Sequence, residues 1–127
     1  MSEEPWARWG ELVACASGRA ELAAALDTIA AEMRAEEGPR WNVLGVQVRR
    51  RSLSGRLGGI VHRSGHRVVL VEERLGPDDA SFVAAHEVAH MVLSYSQAVI
   101  DDEETLCDAF AEKVLGARRP RLLATHG

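Results

Sequence analysis

Cysteine is scarce in this chain. Cys15 and Cys107 are the only two, far apart and both in helical patterns. That argues against a disulfide scaffold and for free thiols in a reducing, cytoplasmic compartment. Long apolar runs are also missing. None approaches the roughly 18 residues a membrane-spanning helix needs, so no membrane is expected as a partner. The N-terminus, Met1-Ser2-Glu3-Glu4-Pro5-Trp6, lacks the basic and apolar character of a leader. An excess of basic residues is absent too. The net charge of −4 argues against nucleic-acid binding by the whole domain. There is no internal repeat and no low-complexity segment. What remains is a chain of 127 residues with 46% hydrophobic content, which fits one domain with one modest core.

The motif that stands out is His86-Glu87-Val88-Ala89-His90. A four-residue step on a helix puts His86 and His90 on one face, one turn apart. Two imidazoles so placed can grip one zinc ion, each nitrogen at about 2.0–2.1 Å. Glu87 follows the first ligand and is positioned to act as general base on water. The segment from Pro77 to Leu93 reads as the helix that carries them. Gly76-Pro77-Asp78-Asp79 is a start signal, and Phe82, Val83, Ala85, Ala89, Val92 and Leu93 supply a broad apolar surface. A histidine pair in such a helix needs partners, because unpaired buried polar groups cost free energy.

A catalytic zinc usually takes three protein ligands and keeps one open position. The long metzincin pattern fails, since Leu93 and Ser96 stand where it needs glycine and histidine. The third ligand is therefore expected from a later helix, Asp101 to Leu115, whose apolar stripe is Cys107, Phe110, Ala111, Val114 and Leu115. Its opening acids suit the positive end of the helix dipole. Glu104 lies at the edge of the stripe, one turn before Asp108. Glu104 is the candidate third ligand. Asp108 is the candidate acceptor for the outer nitrogen of a ligating histidine. Glu103 competes with Glu104, and a Cys107 thiolate is a further candidate donor.

Two stretches resemble the ImmA/IrrE family of zinc metallopeptidases. One is Phe82-Val83-Ala84-Ala85-His86-Glu87-Val88-Ala89-His90-Met91-Val92-Leu93. The other is Glu104-Thr105-Leu106-Cys107-Asp108-Ala109-Phe110-Ala111-Glu112-Lys113-Val114-Leu115. The second is similar to the family helix in which a glutamate ligand precedes a small residue, Asn or Asp, and then Phe-Ala. Matched so, Glu104 falls on the third ligand. The resemblance extends more weakly over residues 41 to 75, where the family has a small sheet. It implies one zinc per chain and cleavage of one chosen protein in place of broad digestion. The family usually has a proline soon after Phe-Ala, whereas here it arrives late, at Pro120. Many members also carry a helix-turn-helix domain, for which this chain has no room.

The rest of the chain completes an α+β expectation. Helices are expected over residues 5–17 and 19–37, with Trp6 and Trp9 anchoring the first and Leu22, Leu26, Ile29, Ala30 and Met33 striping the second. Residues 41–50 turn to a strand pattern, and residues 57–63 and 66–73 read as a hairpin across Ser64-Gly65. The expected single domain, 1–127, thus has N-terminal helices (1–38), a small mostly antiparallel sheet (41–75) and two metal-binding helices (77–116). Tyr95, His62 and His66 are candidate donors to an oxyanion, and His126 reads as tail. Arg49, Arg50, Arg51 and Arg56 form a basic cluster near an expected loop, which reads as a solvated loop, with docking of an acidic partner protein as the functional alternative. The expected activity is a zinc endopeptidase acting on a specific protein or precursor peptide held along an exposed strand. The alternatives are a hydrolase of non-peptide amides on the same scaffold, or a non-catalytic binding module.

Overall fold

The computed structural model describes residues 3–34, 39–63, 66–97 and 99–116. Two helices open the chain, α1 (Glu3–Ala14) and α2 (Arg19–Met33). Three strands follow, β1 (Val46–Arg51), β2 (Gly58–Arg63) and β3 (His66–Glu72), and then α3 (Pro77–Leu93) and α4 (Glu103–Leu115). The class is α+β, as the sequence patterns require.

Helix α3 is the centre of the molecule. Its ends are set locally: Pro77 sits in the first turn after Gly76, and Asp78 and Asp79 complement the dipole. Ten of its side chains are buried, from Ala80 to Leu93, on nearly every side of the cylinder. A helix that is apolar all round is enclosed, and α3 packs against α1, α4, β2 and β3. The apolar core is contributed by every element around it. Trp6 and Trp9 of α1 are both buried and meet edge to face at 5.2 Å, anchoring α1 as expected. The Trp6 indole N–H donates to the Leu44 carbonyl at 2.7 Å, and the Arg67 guanidinium lies over its ring at 4.4 Å.

The sheet is mixed, where a mostly antiparallel one was expected. Its order is β1-β3-β2, with β3 antiparallel to β2 and parallel to β1. The chain leaves β1 at one edge and crosses the end of β3 through residues 52–57. It then enters β2 at the other edge. Glu72 fastens this crossing: its carboxylate accepts from the Leu53 and Arg74 backbone N–H groups, and its own N–H donates to the Leu57 carbonyl. Val69 and Val71 of β3 are fully buried against the helices.

Some boundaries differ from the sequence reading. The α1 helix stops at Ala14, and α2 ends at Met33, with Arg34 extended. Residues 41–45 form a turn, closed by Gly45 at φ 78° and by hydrogen bonds such as Val46 N–H to the Trp41 carbonyl. Helix α4 begins at Glu103 because Asp102 is left-handed, at φ 58°. The turn at Ser64-Gly65, Pro120 and His126 lie outside the described residues.

Candidate metal centre

His86, Glu87 and His90 are the partly exposed polar positions in the middle of α3. Each points where helical geometry requires. The 86/90 face is turned to α4. Glu87, about 100° further round the helix, is turned to β2. The walls of a cleft are therefore α4 and β2, and its floor is α3.

The α4 side brings three carboxylates to the imidazoles. The Nε2 atoms of His86 and His90 stand 3.2 Å and 2.5 Å from the same oxygen, Oε2 of Glu104. Behind them, His86 Nδ1–H donates to Asp108 Oδ1 at 2.8 Å, and His90 Nδ1–H donates to Glu103 Oε2 at 2.5 Å. Each imidazole thus turns its outer nitrogen to a carboxylate and its inner nitrogen to a shared point. That is how ligating histidines are usually held, with the tautomer fixed by the acceptor behind the ring. Donors from His86, His90, Glu104 and Cys107 all lie within 4.8 Å of one another. The nitrogen and oxygen donors fit zinc in type and number, and Glu104, whose side chain is 74% exposed, can adjust its reach.

The electrostatics agree with a site built for a cation. His90 is partly buried, which by itself favours its neutral form. The carboxylates of Glu103, Glu104 and Glu87 outweigh that and hold the imidazole above its usual range. A proton on His90 therefore answers the negative charge that a metal would answer. Burial, reinforced by nearby carboxylates, pushes the Cys107 thiol far up. A neutral, fully buried thiol suits apolar packing.

On the β2 side, Glu87 meets a glycine. A Cβ on Gly58 would stand 2.6 Å from Val83 Cγ1, 2.9 Å from Glu87 Cγ and 3.0 Å from Glu87 Oε2. Only glycine lets the strand approach the glutamate so closely. Burial pushes the Glu87 carboxyl above the usual carboxylate range, while the His86 and His90 imidazoles and Arg56 pull against it. A raised pKa suits a group that must accept and then release a proton.

The structure therefore brings together His86, Glu87, His90, Glu104 and Asp108. It also puts Glu103 behind His90, and Gly58 against Glu87. The Gly58-Gly59 pair inside a strand pattern was the signal for the latter. The oxyanion candidates are scattered. The Tyr95 hydroxyl is 3.4 Å from Arg67 Nη2, and its ring lies against Gly10 of α1. His66 is exposed at the start of β3, paired with Arg63. His62 stands opposite Arg67 in the ladder, and its side chain lies outside the described residues.

The basic cluster is divided by the fold. Arg50 donates to the carbonyls of Glu73 and Leu75, clamping the approach to α3. Arg49 donates to Gln47 Oε1. Arg56 lies apart, at the head of β2, where its Nη2 is 3.5 Å from the Gly58 carbonyl.

Comparison with known proteins gives a family match. No curated protein and no solved structure matches the chain. The Peptidase_M78 family, described as the IrrE N-terminal-like domain, matches residues 42–114, which span the sheet, α3 and nearly all of α4. With more than half of its length covered, and with the histidine pair and the following glutamates inside the match, the chain belongs to the IrrE N-terminal-like peptidase family.

Proposed function

We propose that the protein is a zinc-dependent endopeptidase that cleaves an extended segment of a specific protein or precursor peptide. The observation that carries this reading is the convergence of both Nε2 atoms on Glu104 Oε2, with Glu87 on the adjoining face beside strand β2. His86, His90 and Glu104 would hold the metal. Bound there, zinc would supply a Lewis acid that polarises the scissile carbonyl and acidifies water.

The chain's own residues do the rest. Asp108 and Glu103 keep the two imidazoles in one tautomer and one orientation. Glu87 accepts the proton of the attacking water and delivers it to the leaving amine. Strand β2 is an edge strand. The Leu57 carbonyl accepts from Glu72 N–H, so the alternation of the ladder turns the backbone groups of Gly58 and Ile60 outward. An extended peptide can add to that edge and lie across the cleft in front of Glu87.

Glu87→Gln tests the reading. The substitution keeps the shape of the side chain and removes its basicity. The expected result is about one zinc per chain, as in the wild type, with turnover of a peptide mixture reduced at least 100-fold. Turnover unchanged in this variant would overturn the mechanism.

A further inference from the structure

We propose that Arg56 makes the cleft selective for extended peptides with an acidic side chain close to the scissile bond. This rests on the peptidase reading above and names its substrate class.

The position of Arg56 is the first support. Its Nη2 is 3.5 Å from the Gly58 carbonyl and 3.4 Å from the point where a Cβ on Gly59 would stand, so the guanidinium is folded back over the head of β2. Gly58 is where β2 touches the catalytic glutamate, its Cβ position 3.0 Å from Glu87 Oε2. Gly58 and Gly59 face opposite ways along the strand, so Arg56 sits on the outer face of β2, across the strand from Glu87, where it would meet a substrate side chain next to the scissile bond that points away from α3.

The second support is what Arg56 covers. The Gly58 carbonyl faces outward and is the first acceptor on the edge that an incoming strand would use. At 3.5 Å the contact with Arg56 is at the outer limit of a hydrogen bond and is easily given up. A peptide that pairs with β2 would replace it with its own N–H. The guanidinium, still tethered two residues upstream, then lies beside the incoming chain with its fork of donors unspent.

The third support is charge. Arg8 has Glu32 and Arg19 has Asp102 as acidic partners. Among the described residues, Arg56, which is exposed, makes no ion pair within 4.0 Å, and the Glu87 carboxyl feels its charge only from further off. The fork geometry of a guanidinium matches a carboxylate with two parallel hydrogen bonds. The opposite wall carries Glu103 and Glu104, which repel an acidic side chain. Glu87 repels an acidic side chain that enters the cleft itself, so an Asp or Glu in the substrate is favoured on the outer, Arg56 face of β2, which sets the register of the chain along the strand.

Binding of zinc-directed probes tests this without requiring turnover. The probes are tripeptide hydroxamates in matched pairs, with Asp or Asn at each position in turn. Each is titrated by calorimetry into zinc-loaded wild type, Arg56→Lys and Arg56→Glu. At one position the Asp member is expected to bind the wild type about tenfold more tightly, as a charge-assisted hydrogen bond provides. The preference should shrink in Arg56→Lys and vanish or reverse in Arg56→Glu. Equal affinities at every position, or an Asp preference that survives in Arg56→Glu, would overturn the assignment and leave the peptidase reading standing. No hydroxamate binding to the zinc-loaded protein would overturn both, because the metal would then have no open position.

Discussion

A carboxylate stands behind each imidazole of the candidate metal centre, and the two come from different points on α4. Asp108 serves His86 and Glu103 serves His90. Asp108 was legible in the sequence, because a carboxylate one turn after Glu104 shares its helix face. Glu103 reads in the sequence only as a rival to Glu104 for the metal, and its place behind His90 is not legible there. Its partner lies on another helix, and the pairing is set by how α3 and α4 pack. Removing either acceptor frees a ring to rotate and lowers the basicity of its inner nitrogen. Asp108→Asn and Glu103→Gln should each weaken zinc binding by about 10–100-fold, measured by competition with a chromogenic chelator. Unchanged affinity in both would remove their assigned role.

Gly58 is the point at which β2 touches Glu87. A methyl at this position meets Val83 and Glu87 well inside contact distance. Gly58→Ala should cost about 1–3 kcal/mol of stability through overpacking, read by denaturant unfolding. It should also reduce turnover while leaving zinc content unchanged, since the displaced group is the base and not a ligand. Loss of zinc with turnover per bound metal preserved would contradict that placement.

Among the elements, α3 was legible from end to end. Its signals are local: Gly76-Pro77 with two acids at the start, and apolar residues on nearly every side. The limits of β1 and α4 were less so. Each begins after a residue with positive φ, Gly45 and Asp102, and such a conformation leaves only a weak mark in sequence. The strand order left no mark. Alternation shows which residues form strands and that β2 and β3 make a hairpin, but β1 finds its parallel partner through a crossover that only tertiary packing selects.

The tie between α1 and α2 has a pH dependence. Glu32 accepts hydrogen bonds from the Arg8 guanidinium and from the Trp9 indole at 3.1 Å. Arg8 is the main cause holding the carboxyl below its ordinary value of 4.5. A carboxyl depressed in the folded state stabilises it above the unfolded pKa, and that contribution fades as pH falls through the folded value. Glu32→Gln should therefore cost about 1 kcal/mol at neutral pH, allowing for partial exposure. The difference from wild type should shrink below about pH 4. Thermal unfolding of both proteins across that range reads it, and a constant difference would contradict the tie.

For the molecule as a whole, the fold serves to make a floor and two walls. The buried α3 helix is the floor, α4 brings the carboxylates, and β2 brings the free edge of the sheet. None of the described helices is long and apolar enough to cross a membrane. The motif in α3 and the carboxylates of α4 are readable as chemistry from residue types and spacing alone. Their convergence is not, because it depends on how two helices separated in the chain pack against each other. The central claim is that His86, His90 and Glu104 together hold one catalytic zinc. The most direct test is zinc per chain by elemental analysis, on the wild type and Glu104→Ala side by side. About one zinc in the wild type, with a sharp loss in the variant, is the predicted result. No zinc in the wild type after metal is supplied, or full retention in Glu104→Ala, would contradict it.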